Sequence, residues 1–447
     1  MRTPLRHSSI RLLLLLLLPT LAITTGAKGE GLAAGCFRRP TFAHDRGLTH
    51  LSDIVVLATA APDTIQLYSV AQARVTNTLK AADRLQDMAV SALDPNGRRN
   101  PRAYVVSKSA HVAAYDLRQN SILADIPLSD DPEASGGSVA VSPNGRYVAV
   151  GRGDREFQIR SVAVLNAAQL DQVVASVEFN GDLQDLVANP NPEFPELYIV
   201  NDKASKIRIY NFETQQYADS IFDLTGSPSA FVVSPDGRLA MASINARNKV
   251  VFVDLTTKVL FYEVILSGRN PGELASPHQI AFTPDGSTAY VTDRRVRGLL
   301  YRIDLGPIRR AMAGQGDLAG IDQSTVVTAK QMPFLLTDAN FIPEKIAVSA
   351  DSNFMYVAGS NATHFSVINL RPVSELAQAD PAKFGFLPEL VQSQARLAPP
   401  ELNDGLYEVQ GINLAKDPVT LGVLYGASDM VFRFTDPKEG EPATPAE

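Results

Sequence analysis

The chain has 447 residues, 45% hydrophobic and 20% charged, a composition that excludes a disordered polymer and leaves ample material for a core. Its formal charge is −7, and loss of an N-terminal segment carrying three arginines and no acid takes it to −10, which argues against a nucleic-acid partner. The single cysteine, Cys36, excludes an intramolecular disulfide, so the core must hold the fold.

Residues 1–27 read as a signal peptide: Arg2, Arg6 and Arg11, then an apolar run from Leu12 to Ile23, then small residues ending at Ala27. The run is about a dozen residues and contains Pro19, short of the roughly 20 residues of a bilayer-spanning helix. No later stretch comes closer, so the sequence offers no transmembrane span and reads as exported, to a periplasm, a cell surface or the medium. Leu32-Ala33-Ala34-Gly35-Cys36 resembles a bacterial lipobox and makes Cys36 a candidate for acylation. Ala33 stands where a larger aliphatic residue is usual, and Lys28 and Glu30 interrupt the approach, so a plain cleaved signal comes first and a lipid anchor second.

Residues 28–52 form an N-terminal segment. Beyond it, from residue 53 to 436, a strand-turn-strand unit recurs: VAVSPNGRYVAV from Val139, FVVSPDGRLAMAS from Phe231, IAFTPDGSTAYVTD from Ile280 and IAVSADSNFMYVAG from Ile346. In the first three, proline presets φ at the turn and Asn-Gly or Asp-Gly supplies the positive φ that folds two strands back in register. A third strand follows each pair, as in VAAYDL to Leu117, IRIYNF to Phe212, VFVDL to Leu255 and YRIDL to Leu305, and a weaker fourth often comes after it.

Taking Ser91, Ser142, Asn189, Ser234, Thr283, Ser349 and Ala415 as equivalent gives spacings of 51, 47, 45, 49, 66 and 66, blade-sized units with two insertions. The pattern predicts an all-β single β-propeller of four-stranded antiparallel blades, eight favoured and seven the alternative, with residues 38–52 closing the ring against the C-terminal blade. Insertions are expected at 306–324, with a helix-compatible Pro307–Met312, and at 371–403. The tail 437–447 lacks apolar periodicity and reads as disordered.

The units resemble the YVTN-type β-propeller repeat family through Tyr290-Val291-Thr292-Asp293, Tyr198-Ile199-Val200-Asn201, Tyr104-Val105-Val106-Ser107 and Tyr356-Val357-Ala358-Gly359. Only the second keeps the family's final Asn. The resemblance implies the fold; for function it implies a range, from binding scaffolds to lactonase-like enzymes and oxidoreductase propellers.

In such a ring the inner strands start at one channel mouth. Five residues before the aligned positions stand Gln86, Gly137, Gln184, Ser229, His278, Glu344 and Gln410, and one place on are Asp87, Ser138, Asp185, Ala230, Gln279, Lys345 and Gly411. The loop after Tyr290 adds Asp293, Arg294, Arg295 and Arg297, whose guanidinium groups suit a small anionic ligand, shielded by the insertions and joined by His278. No Cys-x-x-Cys-His motif, close His pair, Gly-x-Ser-x-Gly elbow or phosphate-binding Gly-rich loop is present, so no cofactor or metal is implied. A non-catalytic scaffold that binds a protein partner or small ligand is the favoured function. The alternative is a lactonase-like hydrolase or oxidoreductase accessory propeller with His278 and Glu344 as acid and base.

Overall fold

The repeated hairpins pair into four-stranded antiparallel sheets, seven of them among the described residues, set around an axis as the blades of a β-propeller. The computed structural model describes residues 54–370, apart from 60–62, 70–73, 82–84, 132, 154–158, 180–181, 202–205, 269–272, 295–298, 332–341, 351 and 361–363, together with 407–413 and 418–424. The signal peptide, the 28–52 segment with Cys36, Arg295, Arg297, the 371–403 insertion and the 437–447 tail lie outside the described residues.

Blade 2 runs outward through Leu85–Leu93, Arg99–Ser107, His111–Asp116 and Ser121–Pro127. Blades 3 to 7 repeat this order, with inner strands Ser135–Val141, Leu183–Ala188, Ala230–Val233, Pro277–Phe282 and Ile342–Val348. Blade 1 is composite. Its outer three strands are Ile54–Thr59, Thr64–Ser69 and Arg74–Lys80, and its inner strand is Pro418–Leu424 from the other end of the chain.

That composite blade makes the count seven rather than the favoured eight. Pro418–Leu424 completes the first unit as its inner strand instead of opening a further blade, with Leu424 opposite Ile54 and Thr420 opposite Ala58. Likewise Tyr407–Asn413, placed on an inner strand by the Ala415 alignment, is the outer strand of blade 7, paired with His364–Asn369. The last 66-residue spacing is therefore an insertion within one blade. The C-terminal strand closes the ring; residues 38–52, expected in that role, lie outside the described residues.

Side chains alternate along each strand, so one blade feeds two cores. Tyr104 and Val106 of blade 2 pack with Val139, Val148 and Val150 of blade 3, while Val105 between them packs with Val56, Ile65 and Leu67 of blade 1. The same division joins blades 3 and 4, 4 and 5, 5 and 6, and 6 and 7. Second strands are consequently apolar on both faces, and every residue of Leu239–Ile244 is buried. Each fully buried aliphatic or aromatic side chain contributes about 1.5–3 kcal/mol, so the inter-blade cores dominate stability.

The turn between inner and second strands is organised by its first side chain. Ser142, Ser234, Thr283 and Ser349 are buried, and their hydroxyls accept the backbone N–H five residues on, at 2.9, 3.0, 3.1 and 2.9 Å. In three of them the hydroxyl also donates to the side chain two residues on, Asn144, Asp236 or Asp285. This explains the Ser/Thr of the repeat as well as its proline and glycine.

These turns are laced together on one face of the ring. Asn189 and Asn191 of blade 4 donate to the carbonyls of Gly237 and Asp236 of blade 5, at 2.9 and 2.8 Å. From the helix Gly306–Met312, in the connection to the outer strand of blade 6, Arg309 donates to Asp236 Oδ2 at 2.6 Å and to the Gly286 carbonyl at 2.8 Å. Burial disfavours ionised Asp236, but the Arg309 and Ser234 hydrogen bonds and the Arg309 charge outweigh it and hold this carboxyl below the usual range.

Gly237 and Ser352 occupy the same turn position in blades 5 and 7, with φ of +75° and +61°. A Cβ on Gly237 would clash with Asn189 Oδ1 and meet Asn191 Cβ at 2.8 Å, within the lacing just described. Gly237→Ala is therefore expected to cost about 2 kcal/mol, from the positive φ and the clash, whereas Ser352→Gly should gain about 0.5 kcal/mol by relieving a strained φ. Urea unfolding of the two variants checks this; equal and opposite signs from those stated would refute the turn assignment.

Candidate functional site at the channel mouth

Antiparallel order puts the starts of the inner strands, and the loops between second and third strands, on the face opposite the laced turns. The two consecutive columns read from the sequence meet different fates there, because the inner strands carry β-bulges at their first turn. In blade 2, Leu85 pairs with Ser107 and the next pair is Asp87 with Val106; blade 4 repeats this at Leu183–Asn201 and Asp185–Val200, and blade 7 at Pro343–Gly359 and Lys345–Ala358. Gln86, Gln184 and Glu344 are the extra residues of three equivalent bulges, and a bulge re-aims its neighbours. Gln86 and Gln184 are exposed, whereas Asp87, Asp185 and Lys345 are half-buried.

Register aligns one residue of each blade in an axial row: Thr420, Asp87, Ser138, Asp185, Ala230, Gln279 and Lys345 in blades 1 to 7. Three of them meet. Ser138 Oγ lies 2.8 Å from Asp87 Oδ2 and 2.9 Å from Asp185 Oδ1, although these residues belong to three different blades. The Val139 N–H donates to Asp87 Oδ2 at 3.1 Å, and the Leu186 N–H reaches Ser138 Oγ at 3.2 Å and Asp185 Oδ1 at 2.9 Å. Burial is the main influence on the Asp185 carboxyl and pushes it above the usual range; the charge of Asp87 adds to this, against the pull of Lys345 and of the hydrogen bonds from Ser138 and Leu186.

The remaining candidates are placed apart from this cluster. His278 is only 8% exposed, and its carbonyl accepts the Ser243 hydroxyl at 2.6 Å, tying blade 6 to blade 5. Asp293 is buried and receives the Ser276 N–H at 2.8 Å and the Tyr301 hydroxyl at 3.1 Å, a structural set of partners. Burial, reinforced by the charge of Asp293, pushes the Tyr301 phenol well up, so it remains a donor. Arg294 is exposed at the rim, and its backbone N–H donates to the Ser276 carbonyl. Gln410 and Gly411 stand on the outer strand of blade 7, away from the row and three strands out from the inner position to which the Ala415 alignment assigns them. The Gly306–Ser324 insertion, expected to shield the arginines, leaves the third strand of blade 6 on the laced face, at the opposite end from Arg294.

Ser138 and Lys345 gain importance that the sequence did not give them. The available signal was the second strand: aligning on Tyr104–Ser107, Tyr198–Asn201 and Tyr356–Gly359 places Asp87, Asp185 and Lys345 at one level. Among the described residues no group of three or more His, Cys, Asp or Glu is placed to hold a metal, and no helix is long and apolar enough to cross a membrane.

No family model matches the chain, and no curated protein sequence matches it. Among solved structures it is similar to a functionally unknown protein from Desulfotomaculum acetoxidans DSM 771, with 13% identity, a TM-score of 0.54, and 71% of this chain and 92% of that one covered. It is also similar to Kuenenia stuttgartiensis hydrazine synthase, with 14% identity, a TM-score of 0.50, and coverage of 68% and 89%. The likeness is one of fold.

The partners of Asp293 give it a structural role. Asp293→Ala leaves the Ser276 N–H short of an acceptor, while the Tyr301 hydroxyl keeps the Ser267 carbonyl at 2.7 Å, and is expected to destabilise by about 1–3 kcal/mol at unchanged m-value. Chemical denaturation measures this, and a change under about 0.5 kcal/mol would overturn the assignment.

Proposed function

We propose that the chain is an exported, non-catalytic β-propeller scaffold that binds a partner protein or a small ligand at the channel-mouth face. The observation that carries this reading is the axial row, where Asp87 and Lys345 bring charges of both signs beside Ser138, Asp185 and Gln279, at the end of the ring where the inter-strand loops emerge. A few convergent polar groups at a rigid mouth suit recognition. Export is supported by the tripartite N-terminal sequence, and the YVTN-type likeness by the repeat residues themselves.

The finer reading is a small anionic ligand. The protein's overall negative charge repels such a ligand, so local cations must attract it, and Lys345 on the axis with Arg294 at the rim supply them. An arginine can take a carboxylate or phosphate bidentately, and one such charge-assisted bond contributes about 1.5–3 kcal/mol.

Calorimetric titration of citrate, sugar phosphates and dicarboxylates is expected to show binding that weakens about tenfold or more in Lys345→Ala and in Arg294→Ala. Equal affinities in all three proteins would overturn the anionic reading, and a protein retained in native mass spectrometry of material from the source would favour the partner reading. N-terminal sequencing of that material should find a start between Lys28 and Cys36. A start at Met1 would refute export, and an acylated Cys36 would make the chain a lipoprotein.

A further inference from the structure

The hydrogen atoms in the axial cluster do not balance if both carboxylates are ionised. A serine hydroxyl carries one proton, yet Ser138 Oγ stands at hydrogen-bond distance from an oxygen of Asp87, 2.8 Å, and from an oxygen of Asp185, 2.9 Å. With two carboxylates, one contact would be a hydrogen bond and the other would set a hydroxyl lone pair against a carboxylate oxygen. The Leu186 N–H at 3.2 Å gives Ser138 a further proton to accept but none to donate.

One added proton resolves every contact. We infer that Asp87, Ser138 and Asp185 hold a single carboxyl proton among them at neutral pH, so that the Asp185 carboxyl donates to Ser138, Ser138 donates to Asp87, and Asp87 is the anion. Each carboxyl has one oxygen that meets Ser138 and a backbone N–H, Asp87 Oδ2 with Val139 at 3.1 Å and Asp185 Oδ1 with Leu186 at 2.9 Å, so the proton is set on Asp185 by its burial and by the charge of Asp87. The Asp185 carboxyl is enclosed, with the Leu186 N–H and Ser138 as its hydrogen-bond partners.

Asp87 in blade 2, Ser138 in blade 3 and Lys345 in blade 7 act on Asp185, and Ala230 in blade 5, Gln279 in blade 6 and Thr420 in blade 1 stand at the same level by register. Lys345 and the hydrogen bonds from Ser138 and Leu186 oppose retention of the proton, and burial with the charge of Asp87 outweighs them. The proton therefore ties three blades, and its loss places a second negative charge on the channel axis.

The linkage has a definite sign. An acid whose folded pKa is raised above its unfolded value, about 3.9 for aspartate, holds more protons folded than unfolded between the two values. Its contribution to stability is full below the unfolded pKa and is lost as pH rises through the folded one. Asp185→Asn keeps a neutral side chain whose Nδ2 can donate to Ser138, giving up the Leu186 N–H contact made at the same atom, and so removes this pH dependence.

The test is infrared spectroscopy of the full mature protein, with thermal unfolding from about pH 5 to about pH 9. The expected result is a protonated-carboxyl stretch at neutral pH that fades on alkalinisation and is missing in Asp185→Asn. Melting temperature should fall with pH in the wild type more steeply than in Asp185→Asn, which should be at least as stable at the alkaline end. A wild type without this stretch at neutral pH overturns the inference, as does a stretch that survives in Asp185→Asn and vanishes in Asp87→Asn. If Asp185→Asn fails to fold, the pH dependence of the stretch in the wild type decides the question.

Discussion

A propeller blade has no face of its own to leave in water. Alternation along every strand sends one set of side chains into the preceding interface and the other into the next, as with Val105 against blade 1 and its neighbours Tyr104 and Val106 against blade 3. An unclosed row of such sheets would expose a large apolar surface at each end, so ring closure is the constraint on which the rest depends. Closure is made by the antiparallel pairing of Ile54–Thr59 with Pro418–Leu424. Joining segments so distant in sequence costs loop entropy that grows only slowly with length, and the completed core between blades 1 and 2 offsets it. The axial row inherits its geometry from this pairing, since the inner strands of blades 7, 1 and 2 contact one another only when the C-terminal strand is in place.

Local chemistry and the four-stranded blade were legible in the sequence, and the way the ring closes was not. The Ser-Pro-Asp-Gly hairpins announced themselves because each of their residues has a separate local role: a buried hydroxyl at Ser234, a preset φ at Pro235, an acceptor at Asp236 and a positive φ at Gly237. Nothing local distinguishes an inner strand of an eighth blade from the inner strand that completes the first. Pro418–Leu424 has the composition for either, and only pairing with Ile54–Thr59 decides. The helix at Gly306–Met312 was readable from its proline, but the reach of Arg309 to turns of two blades was not, because it depends on where the insertion leaves the ring.

The candidate site was legible to within one residue. Strand alternation makes a shift of one position decisive, and the bulges at Gln86, Gln184 and Glu344 introduce such a shift without a sequence mark. Both columns were therefore candidates, and hydrogen bonding separates them. His278 illustrates the opposite case: its residue type invites a chemical role, yet its low exposure and the Ser243 contact to its backbone make it part of an inter-blade joint.

The two faces of the ring respond to protons in opposite directions. On the laced face the fold favours ionised Asp236, through Arg309 and Ser234, so this contribution is present above the unfolded pKa and is lost as pH falls through a lower folded value. Arg309 and Asp236 are partly exposed, at 28% and 41%, so solvent screening keeps the contribution small. At the mouth the fold favours neutral Asp185, and that contribution is lost as pH rises. The enclosed mouth group is the less screened of the two, so the alkaline limb belongs to the channel and the weaker acid limb to the turns. Lys345 shares the axis with Asp185, so any anion that draws Lys345 away removes the one charge that favours ionisation there, and Asp185 then holds its proton more firmly. Were the proposed anion to bind at the mouth, its binding and proton retention in the channel would reinforce each other through Lys345.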